Sequence, residues 1–426
     1  MNVPNIHINT YSGSKKPGYY KQNIPILILL ALIPLQNIYL GKIPSLGMGI
    51  NFLNVMTLLA FLSWKISKEF RSPTITDLNK PLILFCIIYV LSLFYGILTL
   101  GELGERHIEK LKDILIPIII YFIVLNSVRD KRGIIITLLA TFFPLPYMFH
   151  VFRTQLSGVL RWHYDDDYRI NGTFMDLGSN EIAAFYAGYT FILITLFIYT
   201  KNNIIRSLLS ILIIINTYCL VYSYSRGSWL SFAIGIAVLL FFIKRKVFYI
   251  AIILLPILWG SALTIFPVSV QERMSTIFVE NEDERDASAQ SRFVIWENAI
   301  TEYTKSPIIG IGFHTFHHLN PYDGKDTHNY YIKLLTEQGI IGLGIFLLIL
   351  LRGTKQSIKL YRDSTDDLYK AIGIGVTAMI VAFSFGNIFG DRLSHYPLST
   401  YFWAYLALAQ RAYILTQESN IYKKEK

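Results

Sequence analysis

His328 closes the longest polar stretch of the chain, in Asp326–Leu350, DTHNYYIKLLTEQGIIGLGIFLLIL, where a His-Asn pair runs straight into a glycine-spaced apolar segment. A histidine there reads either as a cap or packing residue at a loop–helix junction, or as a neutral base for an incoming hydroxyl. Its company favours the base. Arg226, in SYSRGSWL, is the only charge between two apolar runs that turn directly into each other. A cation kept at such a boundary is read by default as a site for an anionic head group, rather than as a contact with lipid phosphate alone. If 289–304 is helical, Arg292 shares a face with Trp296 and Ile300. An interfacial helix with a snorkelling arginine and a functional anion contact account for that face equally. Arg169, in DYRINGTFMDLGSNE, has Gly172 beside it for a turn and Asn180 placed to cap the next helix. The residues alone leave the role of Arg169 open. Arginine forks bind phosphate oxygens bidentately and stay charged, so the set suggests a base beside a diphosphate clamp, with the diphosphate as leaving group.

Other candidates carry less. His314, His317, His318 and His328 are four imidazoles in 15 residues, and His314 and His318 at i, i+4 could hold zinc on a helix. Gly310, Gly312 and Pro321 work against that helix, and no H-E-x-x-H or paired cysteine accompanies it. Asp165, Asp166 and Asp167 could offer hard oxygens to a divalent cation, but consecutive side chains diverge, so a solvated turn is the better reading. Cys86 and Cys219 both fall in apolar runs, which supports neither a disulfide framework nor a thiol metal site. No metal and no cofactor is expected.

The elements that must position these residues are membrane spans. Of 426 residues, 53% are hydrophobic and only 16% charged, with a mean hydropathy of +0.43, where a soluble domain carries about 25% charged residues. Apolar runs near 24–40, 47–64, 81–100, 114–128, 133–151, 182–200, 207–223, 229–243, 247–266, 337–351, 371–390 and 399–415 describe an all-α polytopic membrane protein of about twelve transmembrane helices. The division expected is a cytoplasmic tail 1–23, a bundle 24–266 with an external loop 152–181, a large periplasmic loop 267–336 between the ninth and tenth spans, a bundle 337–415, and a tail 416–426. With the N-terminus inside, 24 Lys and Arg fall on the cytoplasmic side against 15 outside, 6 of the 15 in the long loop, so 24 against 9 once that loop is set aside. The net charge of +10 thus sets topology and meets membrane lipids; it does not point to nucleic acid. Within this frame Asp326 or Thr327 is expected to cap a helix with His328 in its first turn, Tyr331 and Leu335 sharing its face. Gly339 and Gly342 are expected to let the following span pack closely on a neighbour.

SRGSW, SRFVIWENA, SPIIGIG and THNYYIKLLTEQGIIGLGIFL together resemble the O-antigen ligase and polymerase superfamily of bacterial envelope glycosyltransferases, most clearly over 223–350. The resemblance implies a C-type glycosyltransferase-like fold and an inverting, metal-independent enzyme of the bacterial inner membrane, its active site facing the periplasm. It implies an undecaprenyl-diphosphate-linked glycan as donor. The acceptor would be lipid A-core for a ligase, or a growing O-antigen or exopolysaccharide chain for a polymerase. By that resemblance His328 is the catalytic histidine, and Arg226 and Arg292 hold the diphosphate. Arg169 in RINGTF matches more loosely, because DLGSNE departs from the Asn-Pro-Asn type of sequence frequent there. A lipid-linked sugar transporter is the competing class, and spans nearly free of charge at mid-depth argue against it. A metal-dependent glycosyltransferase using the acidic triplet is a third reading, which full activity in chelator would exclude.

Overall fold

The computed structural model describes residues 21–40, 51–67, 74–101, 104–159, 163–165, 169–254, 266–275, 287–321 and 326–424, and among these all regular structure is helical. The first helices are α1 (Ile24–Leu32), continued by 3₁₀ and π turns to Leu40, α2 (Phe52–Ile66), α3 (Asn79–Leu100) and α4 (Glu105–Ser127). A bent pair follows, α5 (Lys131–Phe142) and α6 (Leu145–Val159), separated at Pro144, which lacks the amide a continuous helix needs. Then come α7 (Ser179–Tyr199), α8 (Asn203–Val221), α9 (Arg226–Ile243), α10 (Arg245–Ile253), α11 (Val268–Ser275), α12 (Ala287–Lys305) and α13 (Phe316–Leu319). The chain closes with α14 (Tyr330–Asp363), α15 (Asp367–Gly386) and α16 (Tyr396–Lys424).

Where its residues are described, each apolar run falls on helix, as it must where lipid offers the backbone no partner. Among the described residues, seven helical runs are long and apolar enough to cross a membrane: Asn79–Leu100, Lys131–Ser157, Ser179–Tyr199, Asn203–Val221, Arg226–Ile243, Tyr330–Asp363 and Asp367–Gly386. Ile24–Ile38 and Phe52–Ile66 are shorter apolar helices. Two boundaries move: α14 begins at Tyr330, inside the expected loop, and α16 continues to Lys424, past the expected span end. Residues 255–265 of the ninth run, the acidic stretch 280–286, and Asp166 and Asp167 lie outside the described residues; Asp165 is exposed.

The connections alternate between two polar ends. One end joins Lys131 to Asp366, Lys201 to Asp367 at 3.1 Å, and Arg352 to the Asp77 carbonyl at 2.8 Å. The other joins Asn37 to the Phe174 carbonyl at 2.7 Å, the Phe313 amide to the Ser92 carbonyl at 2.9 Å, and the Tyr330 amide to the Asn387 carbonyl at 2.9 Å. Between the ends an aromatic core of Phe185, Tyr189, Phe383, Tyr401 and Tyr405 locks α7, α15 and α16 together. Tyr405 donates to Thr141 of α5 at 2.8 Å, which gives its buried hydroxyl the partner it requires.

α14 is broken at Gly339, where the backbone turns to φ +66. The loop 306–313, SPIIGIGF, fills the break. Ile340 donates to the Pro307 carbonyl at 3.0 Å, and Ile311 and Gly312 donate to the Thr336 and Glu337 carbonyls at 2.9 and 3.1 Å. A Cβ on Gly339 would sit 2.2 Å from the Ile308 carbonyl oxygen, and one on Gly312 2.3 Å from the Gly96 Cα. Only glycine fits so close an approach at positive φ. The close packing expected of Gly339 is therefore made with a loop, not a helix. Gly342 packs across the break, where a Cβ would sit 2.3 Å from the Gln338 Cβ, while the nearest atom of a neighbouring helix, in Ile88 of α3, would lie 3.8 Å away.

Candidate active site

His328 sits two residues before α14, exposed, with φ +48. Asn329 is the cap, its side chain accepting from the Tyr331 and Ile332 amides at 3.0 and 3.1 Å. This corrects the expectation that Asp326 or Thr327 caps the helix and that His328 lies in its first turn. Those two residues brace the turn instead. The Thr327 amide donates to Asp326 at 2.8 Å, and the Thr327 hydroxyl, fully buried, donates to the Asn329 carbonyl at 3.0 Å. A non-glycine residue at positive φ persists only where its surroundings over-determine it, a condition that recurs at functional sites.

Two further contacts pin the turn. The Trp296 indole donates to the Thr327 carbonyl at 2.7 Å and so clips α12 to the His328 turn. Arg292 is half-buried on the same helix, one turn earlier. Lys333, buried, pairs with Asp326 and, at 3.3 Å, with Asp391 of the last loop.

Asn180 links Arg169 to the residue before Arg226. Asn180 does not cap α7, which starts at Ser179 behind Gly178 with no side-chain cap. Its carbonyl oxygen accepts instead from Arg169 Nη2 at 2.6 Å and from the Ser225 hydroxyl at 2.9 Å. Ser225 is the residue before Arg226, the first residue of α9. Tyr224 ahead of it is held at φ +54 by its hydroxyl against Ser269 at 3.0 Å and by Arg273, whose Nε donates to its carbonyl at 3.4 Å. The dipeptide that presents Arg226 is thus fixed from α7 on one side and α11 on the other.

The last loop, 387–395, closes the set. Phe389 packs against the start of α9, where a Cβ on Gly227 would lie 3.2 Å from its own. Arg392, buried, pairs with Glu181 at 2.5 Å, beside Asn180. His395 lies 3.6 Å from Asp391 and 3.8 Å from Glu181. Burial alone would raise the Asp391 carboxyl, but the Lys333 ammonium and the His395 imidazole override it and hold it well below the usual carboxylate range. Burial pulls His395 down, and the bond and charge of Asp391 more than reverse this, leaving it raised. Glu181, Lys333, Asp391, Arg392 and His395 went unread in the sequence. Their signal was there, as charges just ahead of apolar runs (Glu181, Lys333) and in GDRLSH, the short connection between the last two runs.

The other histidines stand apart as a packed group. His314, at φ +58, His317 and His318 meet His107 of α4, with ring centroids 5.1–5.9 Å apart in five pairs. Among the described residues no group of three His, Cys, Asp or Glu is arranged to hold a metal ion. Cys86 and Cys219 are free thiols.

What this end of the bundle presents is an imidazole at the surface, arginines from three separate elements, and a buried ion-pair chain beneath them. That combination suits transfer from an anionic leaving group. Residues 208–347 match the family model described as O-antigen ligase. The chain's similarity to the O-antigen ligase family runs over this segment. It takes in Arg226, Arg292, Trp296, His328 and Lys333, whereas Arg169, Glu181 and the 387–395 loop lie outside it. No curated protein matches the chain significantly.

Proposed function

We propose that the protein transfers a glycan from undecaprenyl diphosphate to an acceptor hydroxyl at the outer face of the bacterial inner membrane, as an O-antigen ligase with lipid A-core as acceptor. The observation that carries this reading is the convergence at one polar end of His328 and the elements bearing Arg169, Arg226 and Arg292. His328 takes the proton of the acceptor hydroxyl while the acceptor oxygen forms its bond to the anomeric carbon. The bond from that carbon to the phosphate oxygen breaks, and the charge left on the diphosphate is met by Arg226 and Arg292. Attack from the side opposite the leaving group inverts the anomeric centre. Arg169 acts through Asn180 on the Ser225–Arg226 turn. A metal has no part in this scheme, because guanidinium groups supply the charge.

The test is His328→Ala in a host deleted for the chromosomal copy. The variant should insert normally and give no polymer on lipid A-core, while lipid-linked polymer accumulates. A wild-type surface-glycan gel from that variant would overturn the assignment of the base. Single-repeat capping in the deletion host would instead assign the same chemistry to a repeat-unit polymerase.

A further inference from the structure

Pro307–Phe313, PIIGIGF, has no polar side chain, although the segment around it carries ENEDERD and DGKD. Two helices measure its depth. Arg352 of α14 donates to the Asp77 carbonyl just ahead of α3, at the end opposite the candidate site. Gly339 is 13 residues from Arg352, and Ser92 is 13 residues from Asn79, the first residue of α3. Both therefore lie about 20 Å from that end. The loop touches both positions. The Phe313 amide donates to the Ser92 carbonyl at 2.9 Å, and a Gly339 Cβ would sit 2.2 Å from the Ile308 carbonyl oxygen. Since α3 runs on from Ser92 to Leu100, the loop lies about 12 Å short of the end of that span. In a hydrocarbon core of about 30 Å, that is below the head groups.

The loop is built for that depth. Pro307 has no amide, and the amides of Gly310, Ile311, Gly312 and Phe313 donate to the Ser306, Thr336, Glu337 and Ser92 carbonyls at 2.9–3.1 Å. Irregular backbone is tolerated at membrane depth where protein takes up its polar groups in this way. Its outward side is apolar. Ile308, 62% exposed, and Ile309 stand beside exposed Ile340 and Ile341, whose amides donate to the Pro307 and Ile308 carbonyls at 3.0 and 3.4 Å.

We propose that Ile308 and Ile309 form a re-entrant tip that inserts among the acyl chains of the leaflet on the candidate site's side and anchors the external segment there. The partner is bilayer lipid, because the tip is level with the interior of α3, which exposes Leu91 and Leu98 to the same medium. The patch ends at Lys305, which pairs with Glu302 at 2.6 Å. A lysine stem lies along apolar surface while its ammonium stays at the interface, so this pair marks the polar rim. The inference rests on the spans alone and is independent of the role given to His328.

The test is spin labelling of the full chain in liposomes of phosphatidylethanolamine and phosphatidylglycerol, with Cys86→Ala and Cys219→Ala removing the native thiols. A nitroxide at Ile308→Cys or Ile309→Cys should collide more with oxygen, which concentrates among acyl chains, than with a water-soluble nickel chelate. Its oxygen-to-nickel ratio should match that of Leu91→Cys, beside Ser92, and exceed that of Leu98→Cys, nearer the end of the span. A ratio at or below that of Leu98→Cys puts the tip at the surface or in water and overturns the proposal. Shielding from both reagents means a protein partner and overturns it too. Should the thiol-free chain fail to fold, p-benzoylphenylalanine at position 309 of the otherwise native chain decides. Irradiation in the same liposomes, supplemented with undecaprenyl phosphate, should give a phospholipid adduct. An undecaprenyl adduct, a cross-link to a second copy of the chain, or no lipid adduct overturns the proposal.

Discussion

The Trp296 indole donates to the carbonyl of Thr327 at 2.7 Å, and that one bond joins the helix of Arg292 to the turn of His328. The two residues are 31 positions apart, with part of the polar segment looping out between them. A proton acceptor and a cation meant for the same substrate need a fixed separation, and here an indole fixes the backbones that carry them.

Trp296→Phe keeps the ring and deletes the donor. The Thr327 carbonyl then loses its partner, at a cost of about 1–3 kcal/mol to the local fold. Faster protease cleavage within 306–327 and reduced glycan transfer, with normal membrane insertion, are the expected outcomes. Cleavage and transfer both at wild-type rates would show that the clip is idle.

Arg226→Ala and Arg292→Ala should each reduce kcat/KM for the lipid-linked donor by on the order of 100-fold, the scale of one lost donor to a developing anion. Lysine at either position should recover only part, because a point charge does not reproduce a bidentate fork. Arg169→Ala should cost less and should be mimicked by Asn180→Ala, since Arg169 reaches the site through Asn180. Donor kinetics that ignore both Arg226→Ala and Arg292→Ala would remove the clamp.

Burial, helped by the charges of Lys333, His317, His107 and Lys110, pushes the His314 imidazole down to about 3, against about 6.5 in an unfolded chain. Between those values the unfolded chain binds the extra proton, so stability falls as pH drops from about 6.5 toward 3 and is insensitive to this group above 6.5. The melting temperature of the purified protein should therefore fall between pH 7 and pH 5. His314→Asn, which tolerates the left-handed backbone, should flatten that slope. An unchanged slope in the variant would assign the acid sensitivity elsewhere.

The helices were legible because lipid leaves an apolar run one way to satisfy its backbone, and chemistry-bearing residues at run edges were legible from type and place. What stayed hidden depends on long-range contact. Asn180 and Asn329 look alike to a capping rule, yet Asn329 caps its helix while Asn180 bridges Arg169 to Ser225. Trp296 fits a lipid interface by composition, and only the fold brings it to Thr327. Lys333 and Asp391 are 58 positions apart, so neither announces the other, although a charge close ahead of an apolar run was the available clue. The break at Gly339 was invisible for a related reason: spacing predicts close packing, but not that the packing partner would be a loop.

That break bears on how the protein is made. The amides and carbonyls freed at Gly339 are taken up by residues 307–312, which are synthesised before α14 and belong to a polar segment. A broken helix left in lipid without those partners would expose bare peptide groups to hydrocarbon. α14 can therefore settle only after the SPIIGIG loop has reached its place, so the extramembrane segment guides biogenesis as well as chemistry. Insertion of this span and maturation of the His328 turn become one cooperative event.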